Sequence, residues 1–90
     1  MSLRPALVLP FLAAALVAQN ERPPEAFQIA VGLQQRGLHE EAARQFEQFV
    51  QQQPKHALAA EACYRLGLAR IELGQTEPAL TALGKALQVG

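Results

Sequence analysis

The sequence predicts an all-α fold: two helix-turn-helix hairpins side by side, a short α-solenoid fragment, behind an apolar N-terminal helix. Three observations carry this. Apolar residues recur at helical spacing on both sides of Gly74-Gln75-Thr76. Ala59, Ala62, Cys63, Leu66, Ala69 and Leu73 lie before that turn, and Ala79, Leu80, Leu83, Ala86 and Leu87 after it. Half the residues are hydrophobic and only 6% aromatic, with no long β-branched run, a composition that favours helix. Finally, the chain from Glu25 onward matches itself at a shift of 37 residues.

Ninety residues is one domain at most. Eight basic and eight acidic residues cancel, and every acid is Glu. With no basic stripe, nucleic-acid binding has little electrostatic support. The single cysteine, Cys63, excludes an internal disulfide framework and a multi-cysteine zinc site.

Residues 1–18 carry one basic residue, Arg4, before an apolar run from Ala6 to Ala18 that Pro10 interrupts. The run falls short of the roughly 20 residues of a spanning helix. A basic start, a short apolar core and small residues at its exit form the layout of a secretory signal peptide. Cleavage after Ala18 would start the mature chain at Gln19, and Ala13-Ala14-Ala15 offers another site. A lipoprotein signal would place Cys where Gln19 stands. The other reading is an uncleaved membrane anchor. Residues 19–24 form a linker, because Pro23 and Pro24 donate no backbone hydrogen bond and disfavour helix in the residue before each.

The folded part spans residues 25–90, with hairpins at about 25–54 and 58–89. A first helix is expected from Glu25 to Arg36, with Ala26, Ile29, Ala30 and Leu33 on one face and Phe27, Val31 and Gln34 on a neighbouring one. Gly32 is expected to permit close helix approach, and Gly37 to end the helix as a left-handed cap. A second helix runs from about His39 to Gln52, with Ala42, Ala43, Phe46, Phe49 and Val50 inward and Pro54 as its stop. Glu40 and Glu41 suit the positive end of its dipole, and Glu40 stands four residues before Arg44. The third helix spans about Leu58 to Leu73, with a second such pair in Glu61 and Arg65, and Gly74 caps it. Thr76 is the expected N-cap of the fourth helix, with Pro78 in its first turn.

The two hairpins keep one register. Phe27, Ile29, Ala30 and Val31 correspond to Tyr64, Leu66, Gly67 and Leu68. Gly37, Glu40, Ala42, Phe46 and Val50 correspond to Gly74, Glu77, Ala79, Leu83 and Leu87. Such a shift marks a helical repeat. The pattern resembles the tetratricopeptide repeat. In the second copy Leu66-Gly67, Gly74, Ala79, Leu83 and Ala86 carry the resemblance; in the first, Ile29-Ala30, Gly37, Ala42, Phe46 and the closing Pro54 do. That family's repeat is about 34 residues, and the three extra here lengthen the turn after Pro54. This longer spacing is similar to that of bacterial cell-envelope tetratricopeptide proteins, the Tol-Pal accessory protein and outer-membrane assembly lipoproteins among them, which an export signal suits. Cys63 and Arg70 stand where the family usually has aromatics, which suggests a divergent second copy.

The resemblance implies a non-catalytic protein–protein interaction module. The family's first helices line a concave groove, at positions held here by Phe27, Val31 and Gln34 with Tyr64, Leu68 and Ile71. An apolar groove takes an extended or helical peptide. The family's clamp for acidic C-terminal peptides uses Lys and Asn at such positions, so that specificity is not implied. Cys63 reads as a small buried apolar residue, His39 as a packing residue at the turn and His56 as a solvated loop residue. No metal ligand set, phosphate loop, cofactor motif or nucleophile elbow appears, and no enzyme is expected. Two repeats fall short of the three usually needed to bury each other, and the last helix still presents Leu80, Leu83 and Leu87. Self-association, a partner on that face, or a longer parent repeat protein is therefore expected. A membrane role arises only if residues 1–18 are retained.

Overall fold

The computed structural model describes residues 22–89, and the expected signal segment and the start of the linker lie outside them. Among the described residues there are four helices and no strand. They are α1 (Glu25–Gln35), α2 (His39–Gln52), α3 (Ala59–Glu72) and α4 (Thr76–Val89). Consecutive helices pack against one another along the chain, and their short connections make sequential neighbours antiparallel.

The turns explain why the chain folds back twice in the same way. Gly37 and Gly74 have φ of 79° and 74°, the left-handed region open to glycine at no steric cost. At the end of α1, Gly37 N–H donates to the Gln34 carbonyl and Leu38 N–H to the Leu33 carbonyl, both at 3.0 Å. At the end of α3, Gly74 N–H donates to the Ile71 carbonyl at 2.9 Å and Gln75 N–H to the Arg70 carbonyl at 2.8 Å. Each is a Schellman cap, which satisfies carbonyls the helix end would leave orphaned. The two caps are related by the same 37-residue shift as the sequence. Both i,i+4 pairs form on the surface, Arg44 with Glu40 at 3.2 Å and Arg65 with Glu61 at 2.9 Å, worth roughly 0.3–0.5 kcal/mol each.

One core runs through both hairpins. Phe27, Ala30 and Leu33 of α1 meet Ala42, Ala43, Phe46, Phe49 and Val50 of α2, and Ala62, Cys63, Leu66 and Ala69 of α3 continue it. Phe46 and Phe49 are fully buried. Phe27 packs edge-on against both rings, at centroid distances of 5.8 and 5.7 Å, a geometry that aromatic quadrupoles favour.

Three local expectations are corrected. Gly32 is not a point of close approach, since a Cβ built there meets nothing within 4 Å. The close approach is at Gly67, where a Cβ would lie 2.6 Å from Leu83 Cγ and Cδ2 and 3.3 Å from the Ala79 carbonyl oxygen. Thr76 is already helical, and the Gln75 carbonyl accepts the first bond of α4, from Ala79 N–H at 3.0 Å, so the N-cap is Gln75. His56 is half-buried rather than solvated. Its Nδ1 accepts from Leu58 N–H at 2.9 Å, and its ring stands edge-on to Phe49 at 5.4 Å. His56 thereby fixes the turn that leads into α3.

Candidate functional site

Helix α3 is held from three sides, which makes its remaining side a rigid platform. Toward α4, Gly67 lets Leu83 and the backbone at Ala79 close in. Toward α1, Gln34 makes two bonds to one residue: its Nε2 donates to the Arg65 carbonyl at 3.1 Å, and Arg65 Nη1 donates to its Oε1 at 3.2 Å. Toward α2, Arg70 pairs with Glu47, while Arg70 Nη1 also donates to the Pro78 carbonyl on α4 at 3.2 Å. A single guanidinium so ties α2, α3 and α4, which its planar fork of donors permits.

The fourth side of α3 is apolar and open. Tyr64, Leu68 and Ile71 stand at i, i+4 and i+7, one helix face, and are 52%, 36% and 51% exposed. These are three of the six residues expected in a groove. The other three lie differently. Phe27, at 6% exposure, is a core residue, because Phe46 and Phe49 offer it two rings to pack on. Val31 is half-buried and packs against the core. Gln34 is spent on its link to Arg65. The accessible surface is therefore a stripe on α3, bordered by the Gln34–Arg65 link, rather than a groove shared equally by two repeats.

Two features were not read from the sequence. The links through Gln34 and Arg70 connect residues 31 and 23 apart, and polar pairing at that distance leaves no local periodic trace. A cleft of about 170 Å³ lies between α2, α3 and α4, lined by Glu47, Val50, Gln51, Cys63, Leu66, Arg70, Thr81, Ala82 and Lys85. Cys63 sits at its floor, fully buried. Burial pushes its thiol above the ordinary range, only partly offset by the nearby Lys85 ammonium, so the nucleophilic thiolate is disfavoured. Among the described residues no three His, Cys or Glu side chains gather as a metal set. Nor is any described helix long and apolar enough to cross a membrane.

Residues 61–89 match the family model described as tetratricopeptide repeat. The match begins in the first turn of α3 and takes in all of α4, so the second hairpin is the part of the chain that is similar to a tetratricopeptide repeat. The matched stretch is the copy with Cys63 and Arg70 in place of aromatics. Repeats of this family generally mediate protein–protein interaction and typically act as non-catalytic scaffolds. No curated protein and no solved structure matches the chain.

Proposed function

We propose that this protein is a non-catalytic interaction module of the bacterial cell envelope that docks an apolar, extended or helical segment of a partner protein on the α3 stripe. The observation that carries the reading is the exposure of Tyr64, Leu68 and Ile71 along one face of a helix braced on its other sides. Large apolar side chains held this way lose little entropy on binding, and an amphipathic partner helix would meet them at matching i, i+4, i+7 spacing. Tyr64 adds a hydroxyl in water beside an apolar ring, the dual character that enriches Tyr at interfaces. The export half of the proposal is supported by Arg4 ahead of the apolar run Ala6–Ala18, and the Tol-Pal or outer-membrane assembly type by the long turn after Pro54.

Selection of peptides on the immobilised protein, followed by titration calorimetry, tests the docking surface. Tyr64→Glu with Ile71→Glu should abolish binding while helicity stays at the wild-type level, and Ile29→Glu, an exposed apolar position elsewhere, should leave it intact. Binding that survives the α3 double variant refutes the site. Mass spectrometry of the N-terminus in the native host tests the export half. A start near Gln19 supports a secreted form, and an intact Met1 on membranes supports the alternative, an anchored assembly protein.

A further inference from the structure

We propose that the cleft between α2, α3 and α4 is a small-molecule site for a compact aromatic monocarboxylate, held with its ring inside and its carboxylate at the rim against Lys85. The proposal goes beyond the docking reading and uses another face of α3. Cys63, Leu66 and Arg70 lie on the cleft side of that helix, while Tyr64, Leu68 and Ile71 stand about a third of a turn away around its axis.

The packing explains why the cleft exists. Helices α2 and α4 both pack on α3 and have no comparable packing on one another, so a gap lies between them above α3. Small side chains leave it open: Ala82 on the α4 wall and Cys63 beneath the floor are both buried and too short to fill it. Arg70 fixes its width, since one guanidinium holds Glu47 on α2 and the Pro78 carbonyl on α4. The space amounts to about 170 Å³. An apolar cavity of about 150 Å³ holds benzene, so the cleft is sized for a single ring with a substituent at its mouth.

Walls and rim differ in chemistry, as in sites where apolar contact binds and a few polar groups orient. Val50, Leu66 and Ala82 supply apolar contact for a ring. The charged residues at the cleft are Glu47, Arg70 and Lys85. Glu47 and Arg70 neutralise each other. Lys85 takes part in none of the ion pairs among the described residues, which leaves one positive charge in excess. Its ammonium is near enough to act on the Cys63 thiol beneath the floor, so it lies close to the cleft. Neither cation follows from the repeat register, since the equivalents of Arg70 and Lys85 in the first hairpin are Leu33 and Gln48. A monoanion matches the excess charge. With its carboxylate at the mouth it stays partly hydrated, which avoids the cost of burying a charge, and the exposed Gln51 amide on the same rim offers a further donor.

Titration of the full chain with benzoate, followed through amide NMR shifts, tests the site. Saturable shifts should cluster at Leu66, Arg70 and Ala82, with a dissociation constant of about 1 mM, ordinary for so small a ligand. Benzyl alcohol has the ring without the charge and acetate the charge without the ring; each should bind at least about fivefold more weakly. Lys85→Met keeps the aliphatic stem and removes the charge at an exposed position. It should weaken benzoate about fivefold with helicity unchanged, the upper end for a partly exposed pair. Lys55→Met, an exposed lysine outside the cleft, should bind benzoate like wild type. So should Tyr64→Glu with Ile71→Glu, which keeps failure of peptide docking distinct from failure here. No saturation up to about ten times the expected constant, equal binding of acetate or benzyl alcohol, or equal weakening in the two lysine variants overturns the proposal. Shifts centred on Tyr64, Leu68 and Ile71 overturn it as well.

Discussion

Replacing Gly67 with Ala isolates the contact that joins the two helices of the second hairpin. Two opposed effects must be weighed. Alanine is the better helix former by up to about 1 kcal/mol. Against this, the new Cβ would stand 2.6 Å from two atoms of Leu83 and 3.3 Å from the Ala79 carbonyl oxygen. Leu83 Cδ2 can swing aside, but Cγ moves only with the whole side chain, and the carbonyl belongs to the α4 backbone. Overpacking of this kind costs about 1–3 kcal/mol, so the net change should be a loss of about 1–2 kcal/mol. For a domain of this size that lowers Tm by about 5–15 °C. Gly32→Ala supplies the internal control: it sits inside α1 with open space around its Cβ and should gain about 0.5–1 kcal/mol. Urea unfolding followed by far-UV circular dichroism measures both. In a Leu83→Ala background most of the penalty at Gly67 should disappear, because the two atoms at 2.6 Å are gone and only the 3.3 Å contact with the Ala79 carbonyl remains. If the two alanine variants are equally stable, or if the penalty is undiminished without the Leu83 side chain, the close-approach reasoning is wrong.

Phe27 and Tyr64 hold equivalent positions, yet Phe27→Ala should cost about 3–5 kcal/mol and leave the first hairpin largely unfolded, while Tyr64→Ala should cost under about 1 kcal/mol; thermal melts distinguish them. Arg70→Met and Glu47→Gln should show a coupling of about 0.5–1 kcal/mol in a double-mutant cycle, the range of partly exposed pairs, and the coupling should shrink in high salt. Cys63 makes stability depend on pH in a defined direction. Burial raises its pKa in the folded state, so its contribution is fully present below the unfolded thiol's value of about 8.5 and is lost as pH rises through the higher folded value. Wild type should therefore lose stability on alkaline titration relative to Cys63→Ala, and Cys63 should resist thiol reagents until the chain unfolds.

What the sequence disclosed follows from how local each signal is. Gly37 and Gly74 announced both caps, because a left-handed residue closing a helix is a property of a few neighbouring residues. The inward set of α2 was legible because its apolar positions recur at one period over fourteen residues. Gly32 and Gly67 look alike in sequence, and only the partner helix decides which is tight: Gly67 faces Leu83, while Gly32 faces open space. His56 was misread for the same reason, since Phe49 reaches it from another element. The site divides along this line. Tyr64, Leu68 and Ile71 were singled out by the resemblance and need only one helix to share a face, whereas the fate of Phe27 depended on two rings from α2 and that of Gln34 on a backbone carbonyl of α3.

That dependence on the facing helix suggests why the α3 stripe is exposed and how to cover it. Phe27 is buried by Phe46 and Phe49, whose equivalents under the 37-residue shift are Leu83 and Ala86. The smaller pair leaves the Tyr64 ring half outside. Restoring an aromatic with Ala86→Phe would offer Tyr64 the edge that Phe49 gives Phe27, at an added packing worth about 0.5–1.5 kcal/mol beyond area burial. Ala86 is itself only half-buried and borders the core, so a ring there has an outward path and does not have to displace α3. Tyr64 should then resist nitration by tetranitromethane, and peptide affinity at the α3 stripe should fall although no stripe residue has been changed. Unaltered nitration in a folded Ala86→Phe protein would mean that the exposure of Tyr64 has a cause other than the small residue opposite it.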